Sequence, residues 1–323
     1  MYLGGGYPRR GKWPEFVDAR DASSDFSKGC TKTMLRKLLS GVSLAGVSLA
    51  IGLMAAAHAQ TFVFTAIPDE DQSRLRQRFD KVAQYLSHEV GVDVRYVPVK
   101  SYAAAVSAFR NNQVQLAWFG GLSGVRARAL VKGSEAIAQG HEDQFFVTYF
   151  IAHRSAGIAP SDKFPKGIAG KTFAFGSKGS TSGRLMPEFH IRKNLGKAPK
   201  DVFSRVGFSG DHSRTIALVQ SGAYQVGAVN FKVWENEMKV GKIDPEKIKI
   251  VWRTPTYPDY QWTIRGNLEN RFGVGFKDKV VTALLNLKDK DLLASFPRKK
   301  FVPATNADYE PILRTGQAIG LMD

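Results

Sequence analysis

Cysteine is almost absent from this chain of 323 residues, whose single one is Cys30. A chain that begins at Gln60, as expected below, would have no disulfide, no thiolate nucleophile and no metal site built from cysteine. The histidines do not replace it, because His141, His153 and His190 lack the spacing of metal ligands. We therefore expect neither a metal nor a cofactor, and the apolar core must stabilise the fold.

Blocks of like charge are also missing, although the chain is basic. It has 46 Lys and Arg against 29 Asp and Glu, a net charge of +17, and the eight basic and four acidic residues before residue 60 leave +13 in the rest. Such an excess favours an anionic partner: nucleic acid, acidic lipid or a small oxyanion. Because the basic residues are scattered and form no RNA-binding signature, we expect no nucleic acid among the partners.

Only one long apolar run occurs, and it lies near the N-terminus. In the segment 34–59, Arg36 and Lys37 precede the apolar stretch, which ends in the small residues of an A-x-A cleavage site. This is the order of a signal peptide, so we expect a periplasmic chain that begins at Gln60. Retention of the run as a membrane anchor is the alternative. Residues 1–33 are polar and aperiodic, as an upstream extension from a misplaced start codon would be.

After residue 60 the sequence alternates between strand and helix patterns. The apolar run 61–67 is typical of a buried parallel strand, and the next segment has apolar residues every three or four positions until Gly91. Two α/β units follow one another, with a return crossover near 254–260. The sequence thus predicts an α/β protein of two lobes with a ligand crevice between them. The expected boundaries are 60–152 and 256–323 for the first lobe and 153–255 for the second.

The stretch FAFGSKGSTSGRLMPEFH at 173–190 passes from a strand through glycines and hydroxyl residues into a helix. It is neither a phosphate loop nor a nucleophile elbow, because Gly183 is not followed by Lys and the centre of GSTSG is Thr181. Ser180, Thr181 and Ser182 fall at the first helical turn, where amides lack intrahelical partners and the helix dipole is positive. This arrangement suits an anion with several acceptor oxygens, and plain N-capping is the alternative.

Loops that follow other strands carry further candidates. Glycines come after the aromatic pair at 118–119, where a backbone can approach a ligand closely, and His212 lies at the start of another helix. Tyr102 also begins a helix, while Asp259 and Tyr260 lie near the return crossover. We expect these hydroxyl, amide, imidazole and aromatic groups to meet in the crevice.

Four segments carry a resemblance to a known family. They are GSTSG at 179–183, AWFGG at 117–121, SYAAAV at 101–106 and GDHSRTIALVQSG at 210–222. With them the chain resembles the periplasmic substrate-binding proteins of phosphonate, phosphite and phosphate ABC importers, which have type II bilobal folds. The resemblance extends over 60–323. The segments FTAIPDEDQSRLRQRF and VKSYAAAVSAFRNNQVQLAWFGGLSG are similar to a subgroup described as selenate-binding.

The resemblance implies ligand donors at the serine and threonine triplet, aromatic walls from two residues and one contact from a histidine. Together with the loop residues, it gives a candidate site with no catalytic group and no metal ligand. The members of this site are Ser180, Thr181, Ser182, Gly183, Tyr102, Phe119, Gly120, His212, Asn230, Asp259 and Tyr260.

One position departs from the family pattern. Relatives that bind aminoalkyl phosphonates resemble one another in offering a carboxylate near Asn230, which is neutral here. A small oxyanion is therefore expected unless Asp259 supplies the charge. A fully ionised dianion such as selenate would repel a carboxylate, whereas phosphite or a phosphonate that keeps a proton could donate to one. The ligand thus depends on whether Asp211 and Asp259 cap helices or face the crevice.

The resemblance implies that the protein is the binding component of an ABC importer. It would close its lobes around the oxyanion and dock, as a monomer, on a permease with its ATPase. A sensor that serves a membrane receptor would use the same fold and stays open. An exported phosphoester hydrolase would need Ser182 and His212 as nucleophile and base, and no motif supports that pair, so we expect no enzyme.

Overall fold

The computed structural model describes residues 60–322, and the predicted signal peptide and upstream extension lie outside them. Within the described residues the chain forms two separate sheets with helices packed against them. We call the part built on each sheet the first lobe and the second lobe. In spatial order the first sheet contains β11 (Phe301–Pro303), β4 (Glu135–Gly140), β10 (Gln261–Ile264), β3 (Leu116–Phe119), β1 (Phe62–Ala66) and β2 (Val94–Tyr96). The second contains β7 (Arg205–Phe208), β6 (Thr172–Phe175), β8 (Val226–Asn230), β5 (Thr148–His153) and β9 (Ile248–Arg253).

Each sheet has a parallel part followed by antiparallel strands. In the first, β1 pairs parallel with β2 and β3, and β10 runs antiparallel between β3 and β4. In the second, β6 pairs parallel with β7 and β8, and β5 runs antiparallel between β8 and β9. The two lobes therefore repeat one topology, and the carboxyl ends of β1, β3, β6 and β8 are where loops of both lobes can form a site.

Helices cover the sheets. Those of the first lobe are α1 (Gln72–Val90), α2 (Tyr102–Arg110), α3 (Gly121–Leu130), α8 (Glu269–Phe272), α9 (Phe276–Leu285), α10 (Lys290–Ser295) and α11 (Glu310–Ala318). Those of the second are α4 (Met186–Leu195), α5 (Pro199–Val202), α6 (His212–Gln220) and α7 (Phe231–Lys239). Short 3₁₀ turns occupy His141–Phe145, Arg154–Ala156, Lys166–Ile168 and Asn306–Tyr309, and a π-turn occupies Thr181–Leu185.

The first helix shows how the sequence sets these elements. The carboxylate of Asp71 caps α1 by accepting hydrogen bonds from the amides of Ser73 and Arg74. Gly91 ends the helix with a φ of 73°, a left-handed conformation that glycine adopts without steric cost. The predicted apolar face is confirmed as the buried one, and Phe79 packs edge-to-face on Phe64 of the sheet.

The chain crosses between the lobes through two neighbouring segments, residues 141–147 and 254–260. Phe146 and Tyr257 exchange backbone hydrogen bonds of 2.9 and 3.0 Å, and the amide of Asp259 donates to the carbonyl of Asp143. The first crossing comes before β5, which lies wholly in the second sheet because it pairs with β8 and β9 on both edges. It therefore precedes the position expected from the sequence, residue 152.

The two lobes have their own apolar cores. Phe64, Trp118 and Trp262 form part of the first core, whereas Phe150 and Phe173 belong to the second. No helix in the described part of the chain is both long and apolar enough to cross a membrane.

Candidate anion-binding site

The serine and threonine triplet begins a wide turn after β6. Ser180 is its N-cap, and its Oγ accepts the amide of Gly183 at 2.9 Å. The amide of Leu185 donates to the Ser180 carbonyl, five residues back, so the turn is a π-turn that continues into α4. The cap uses Ser180 Oγ as an acceptor and the Gly183 amide as a donor, so the hydroxyl protons of the triplet and the amides of Thr181 and Ser182 remain for other partners.

Thr181 connects this turn to the first lobe. Its Oγ1 accepts the amide of Leu122 at 2.9 Å, at the start of α3. The neighbouring amide, that of Gly121, donates to Asp259 Oδ1 at 2.8 Å. A Cβ at Gly120 would lie 3.1 Å from Asp259 Oδ1 and 3.4 Å from Thr181 Oγ1, so only glycine leaves both side chains their present positions. Residues of both lobes thus meet at one point.

His212 begins α6 and is fully buried beside Ser182. Its Nδ1 accepts the backbone amide of Asn230 at 3.2 Å, and its Nε2 lies 3.4 Å from Ser182 Oγ. Burial lowers the pKa of His212 to about 3, so the ring is neutral. Because Nδ1 is the acceptor, the single proton sits on Nε2, and the ring presents a donor to the site.

Asn230, Tyr260 and Asp69 form a hydrogen-bonded chain from one lobe to the other. Asn230 Oδ1 caps α7 through the amides of Lys232 and Val233, which leaves Nδ2 to donate to the Tyr260 hydroxyl at 2.9 Å. That hydroxyl donates in turn to Asp69 Oδ2 at 2.7 Å. The second lobe contacts Asp69 again, because the His212 amide donates to the Asp69 carbonyl.

Asp69 was not predicted as a site residue. It lies in the loop between β1 and α1, a position like that of the predicted loops after β3 and β6, and that position was the available signal. Acidic residues before a helix are ordinarily capping groups, so the sequence offered no reason to assign Asp69 to the site. In the structure, Asp71 is the residue that caps α1. Burial and the neighbouring Glu70 raise the pKa of Asp69 to about 6.

The two aromatic candidates differ in their surroundings. Tyr102 is buried at the start of α2, and burial together with the Asp69 charge raises the pKa of its hydroxyl well above 10. Phe119 ends β3 and packs edge-to-face on Phe109, with ring centres 5.7 Å apart, inside the first core. Tyr102 therefore brings a polar group to the site, whereas the Phe119 ring packs in the core beneath it.

The carboxylates left open by the sequence have different roles. Asp211 caps α6 by accepting the amide of Arg214 at 2.7 Å, which confirms the capping interpretation. Asp259 is fully buried among the site residues, and burial raises its pKa to about 7 against the opposing hydrogen bonds of Gly121 and Thr181.

Three buried polar atoms here have no hydrogen-bond partner among the described residues: Asp69 Oδ1, Tyr102 Oη and Asp259 Oδ2. Buried polar groups in folded proteins are nearly always paired, so such a cluster indicates a place for a polar ligand. The site combines donors, from the turn, His212 and Tyr102, with carboxylate acceptors. It suits a small oxyanion that still carries a proton.

Comparisons with known proteins agree with this chemistry. The family described as ABC transporter, phosphonate, periplasmic substrate-binding protein matches residues 64–309. The chain is 40% identical over 261 residues to a probable ABC transporter phosphite binding protein, PhnD1, of Prochlorococcus marinus, covering 79% of this chain and 88% of that one. It is 25% identical over 264 residues to the phosphonates-binding periplasmic protein of Escherichia coli, covering 78% and 75%.

Solved structures show the same fold. The structure of PhnD1 from Prochlorococcus marinus in complex with methylphosphonate is 39% identical, with a TM-score of 0.78 over 81% of this chain and 99% of that one. A binding protein component of an ABC phosphonate transporter from Pseudomonas aeruginosa is 20% identical, with a TM-score of 0.69 over 79% and 85%. The predicted α/β fold with two lobes is thereby confirmed.

Proposed function

Since the chain belongs to the periplasmic substrate-binding proteins of phosphonate ABC transporters, we propose that it captures phosphite or a small phosphonate such as methylphosphonate. Its family members bind and deliver a ligand, and the protein is a binding component rather than an enzyme. Two ligands linked to one relative, PhnD1, support this choice of oxyanion: phosphite in its name and methylphosphonate in its solved complex.

The observation that carries the proposal is the unpartnered Oδ2 of Asp259. Above about pH 7 this carboxyl is ionised, and it can satisfy a ligand only by accepting a proton from it. Phosphite and phosphonates bring that proton as monoanions. Sulfate and selenate bring none, so they would place a full negative charge against a buried carboxylate. This favours a phosphorus oxyanion over selenate.

The remaining ligand oxygens would face donors without full charges. We infer that they accept hydrogen bonds from the first-turn amides and hydroxyls of Ser180, Thr181 and Ser182 and from His212 Nε2. Hydrogen bonds to an ionised group stabilise it by roughly 1.5–3 kcal/mol each. The helix dipole adds a partial positive charge at the same point.

Closure of the lobes would complete capture. The bonds from Thr181 to Leu122 and from Asn230 through Tyr260 to Asp69 join the two lobes directly, and burial of the ligand strengthens each charged hydrogen bond. We propose that the protein is exported by the predicted signal peptide, acts as a monomer and presents its closed form to a permease with its ATPase.

The geometry of His212 opposes the hydrolase alternative. A general base would need a free lone pair on Nε2, the atom near Ser182 Oγ. That atom carries the proton, since the Asn230 amide occupies Nδ1. The pair is therefore arranged to donate to an anion.

A thermal-shift series tests the proposed ligand. The purified protein is heated at about pH 7, where the ligand and Asp259 can still share a proton, with phosphite, methylphosphonate, phosphate, sulfate or selenate. We expect phosphite and methylphosphonate to raise the melting temperature and sulfate and selenate to leave it unchanged. A rise with selenate alone would overturn the assignment.

A further inference from the structure

A large groove lies against the proposed site but outside it. Its volume is about 830 Å³, and residues of both lobes line it. The residues that line it include the apolar Val106, Leu130 and Phe208 and the basic Arg126 and Lys178. Leu130 and Phe208 are 53% and 39% exposed, which is unusual for such large apolar side chains. The groove could accommodate an organic group far larger than any substituent of the ligands proposed above.

Tyr102 separates this groove from the buried site. Its side chain lines the groove, yet only 2% of the residue is exposed, and its hydroxyl is among the unpartnered atoms of the site near Asp69 and Asp259. Gly179, the residue before Ser180, lines the groove next to Tyr102. A Cβ at Gly179 would lie 3.1 Å from the Tyr102 Cβ, so the backbone there packs directly on the tyrosine.

We propose that Tyr102 is the residue that limits ligand size, by closing the oxyanion site against the groove. This inference rests on the proposed function. An anion held by the triplet turn and Asp259 has its substituent confined by the tyrosine ring. Phosphite and methylphosphonate fit within that limit, whereas a phosphonate with a ring or a branched chain meets the aromatic side chain. Well-packed interiors resist added volume, so the limit is a sharp one.

Removal of the ring would join the site to the groove. In Tyr102→Ala the space of the phenol becomes continuous with an apolar channel, in which a bulky substituent can leave water while its phosphonate group keeps the same donors. Val106 lies one helical turn after Tyr102 on α2 and lines the groove, so it would contact that substituent.

The experiment compares methylphosphonate with phenylphosphonate by titration calorimetry. The wild-type protein should bind methylphosphonate and reject phenylphosphonate by roughly 100-fold or more. Tyr102→Ala should lose affinity for methylphosphonate, through loss of the hydroxyl, and gain about tenfold or more for phenylphosphonate. Tyr102→Phe is the matched control: it loses the hydroxyl but keeps the ring, and should still reject phenylphosphonate.

Two further variants test whether Tyr102→Ala acts through misfolding and whether the substituent enters the groove. Tyr102→Leu retains an apolar side chain if the alanine variant does not fold, and should also gain phenylphosphonate binding. Adding Val106→Asp to Tyr102→Ala should lower phenylphosphonate affinity without lowering that for methylphosphonate.

Different outcomes would overturn the size limit set by Tyr102 and the proposed function. Folded Tyr102→Ala and Tyr102→Leu that gain no phenylphosphonate binding would overturn the size limit, as would a wild-type protein that binds both ligands equally. A wild-type protein that binds neither methylphosphonate nor phosphite would instead overturn the proposed function, and the size limit with it.

Discussion

Among single residues, Asp259 is the one on which the proposed choice of ligand depends. It lies in a segment that crosses between the lobes, its Oδ1 is fixed by the amide of Gly121, and its Oδ2 has no partner among the described residues. The sequence could not show whether Asp259 or Asp211 faces the ligand, because both lie in polar segments between predicted elements. The distinction depends on which way each side chain points once the lobes are folded.

The variant Asp259→Asn should change ligand choice and pH dependence together. In the wild-type protein, phosphite affinity should fall as pH rises from about 7 to about 9, because both the ligand and Asp259 then lack the proton that joins them. The asparagine amide can donate to an unprotonated oxygen, so the variant should lose this dependence and gain sulfate binding. Calorimetry across this pH range measures both effects.

Asp211→Asn is the control for this change. Asparagine also caps helices well, so this variant should retain the wild-type pH profile. A sulfate affinity and pH profile that do not differ between Asp259→Asn and the wild type would contradict the role of the carboxylate.

The same group makes the stability of the ligand-free protein depend on pH. A carboxyl whose pKa rises from 3.8 to about 7 on folding holds its proton more tightly in the folded chain. The folded state is therefore favoured at low pH and loses stability as pH rises from about 4 to about 7. Asp69, with its pKa raised to about 6, acts in the same direction.

Urea denaturation of the ligand-free protein between about pH 5 and about pH 8 measures this slope. We expect a decrease in the free energy of unfolding with rising pH, and a shallower decrease in Asp259→Asn. A slope identical in the two proteins would mean that Asp259 is not protonated on folding.

Thr181 should matter for two reasons, as a ligand donor and as a link to Leu122. We expect Thr181→Ala combined with Ser182→Ala to weaken phosphite binding at least tenfold, at roughly 1.5–3 kcal/mol for each hydrogen bond to a charged group. Thr181→Ser keeps the hydroxyl and should retain most of the affinity. Unchanged calorimetric affinity in the double variant would count against this turn as the binding site.

At the scale of elements, the π-turn of Thr181–Leu185 needs glycine at its third position. A Cβ on Gly183 would lie 2.9 Å from His212 Cε1 and 3.1 Å from the Gly176 Cα. The turn, the end of β6 and the start of α6 are thus packed too closely for any side chain here.

Gly183→Ala should therefore destabilise the protein by about 1–3 kcal/mol, the usual cost of forcing extra volume into a packed region. Gly167→Ala is the control, because a Cβ at that exposed glycine meets nothing within 4 Å. Urea denaturation compares the two. Equal stabilities would show that the turn can move apart without cost.

Elements with a strong local pattern were predictable, and those fixed by distant contacts were not. The strand near 61–67, helix α1 and helix α6 follow from apolar spacing and end signals, and the structure confirms them. Helix α3 begins with glycines and a serine, which are poor helix formers, and β10 has buried polar residues at Gln261 and Thr263. Both form because tertiary partners surround them, information that local sequence does not contain.

At the scale of the whole molecule, charged side chains join the lobes outside the site. Arg74 of α1 contacts Glu237 of α7 at 2.9 Å, and Glu70 lies 3.5 Å from the same arginine and 2.5 Å from Arg78. Glu237 is 3% exposed, so this ion pair is screened little by salt. It can form only when the two lobes are together.

Glu237→Gln should weaken ligand affinity although the residue is away from the ligand. The ion pair exists only in the closed form, so the variant destabilises that form and leaves the open form unchanged. Closure therefore becomes less favourable, and the ligand should dissociate about three- to tenfold faster. Glu235→Gln, an exposed change on the same helix, should have no such effect. Stopped-flow measurements of ligand dissociation compare the two variants. Equal rates would contradict a role of the Arg74–Glu237 ion pair in closure.

The residues of the site were predictable only in part, because some of them come together only through the packing of one lobe on the other. Loops at strand ends marked Ser180 and His212, because parallel strands bring such loops to one edge, and the return crossover marked Tyr260. Asp69 also follows a parallel strand, but what distinguishes it from a capping residue is its contacts with Tyr260 and with the His212 amide. Such contacts depend on how two separately folded sheets meet, which no local pattern encodes.

A crystal structure of the protein grown with methylphosphonate would show whether the anion binds between the triplet turn and Asp259. The phosphonate group should lie between the Ser180–Ser182 turn and Asp259, with one ligand oxygen within hydrogen-bonding distance of Asp259 Oδ2 and another near His212 Nε2. A phosphonate bound elsewhere, with Asp259 Oδ2 still unpartnered beside an unoccupied turn, would contradict it.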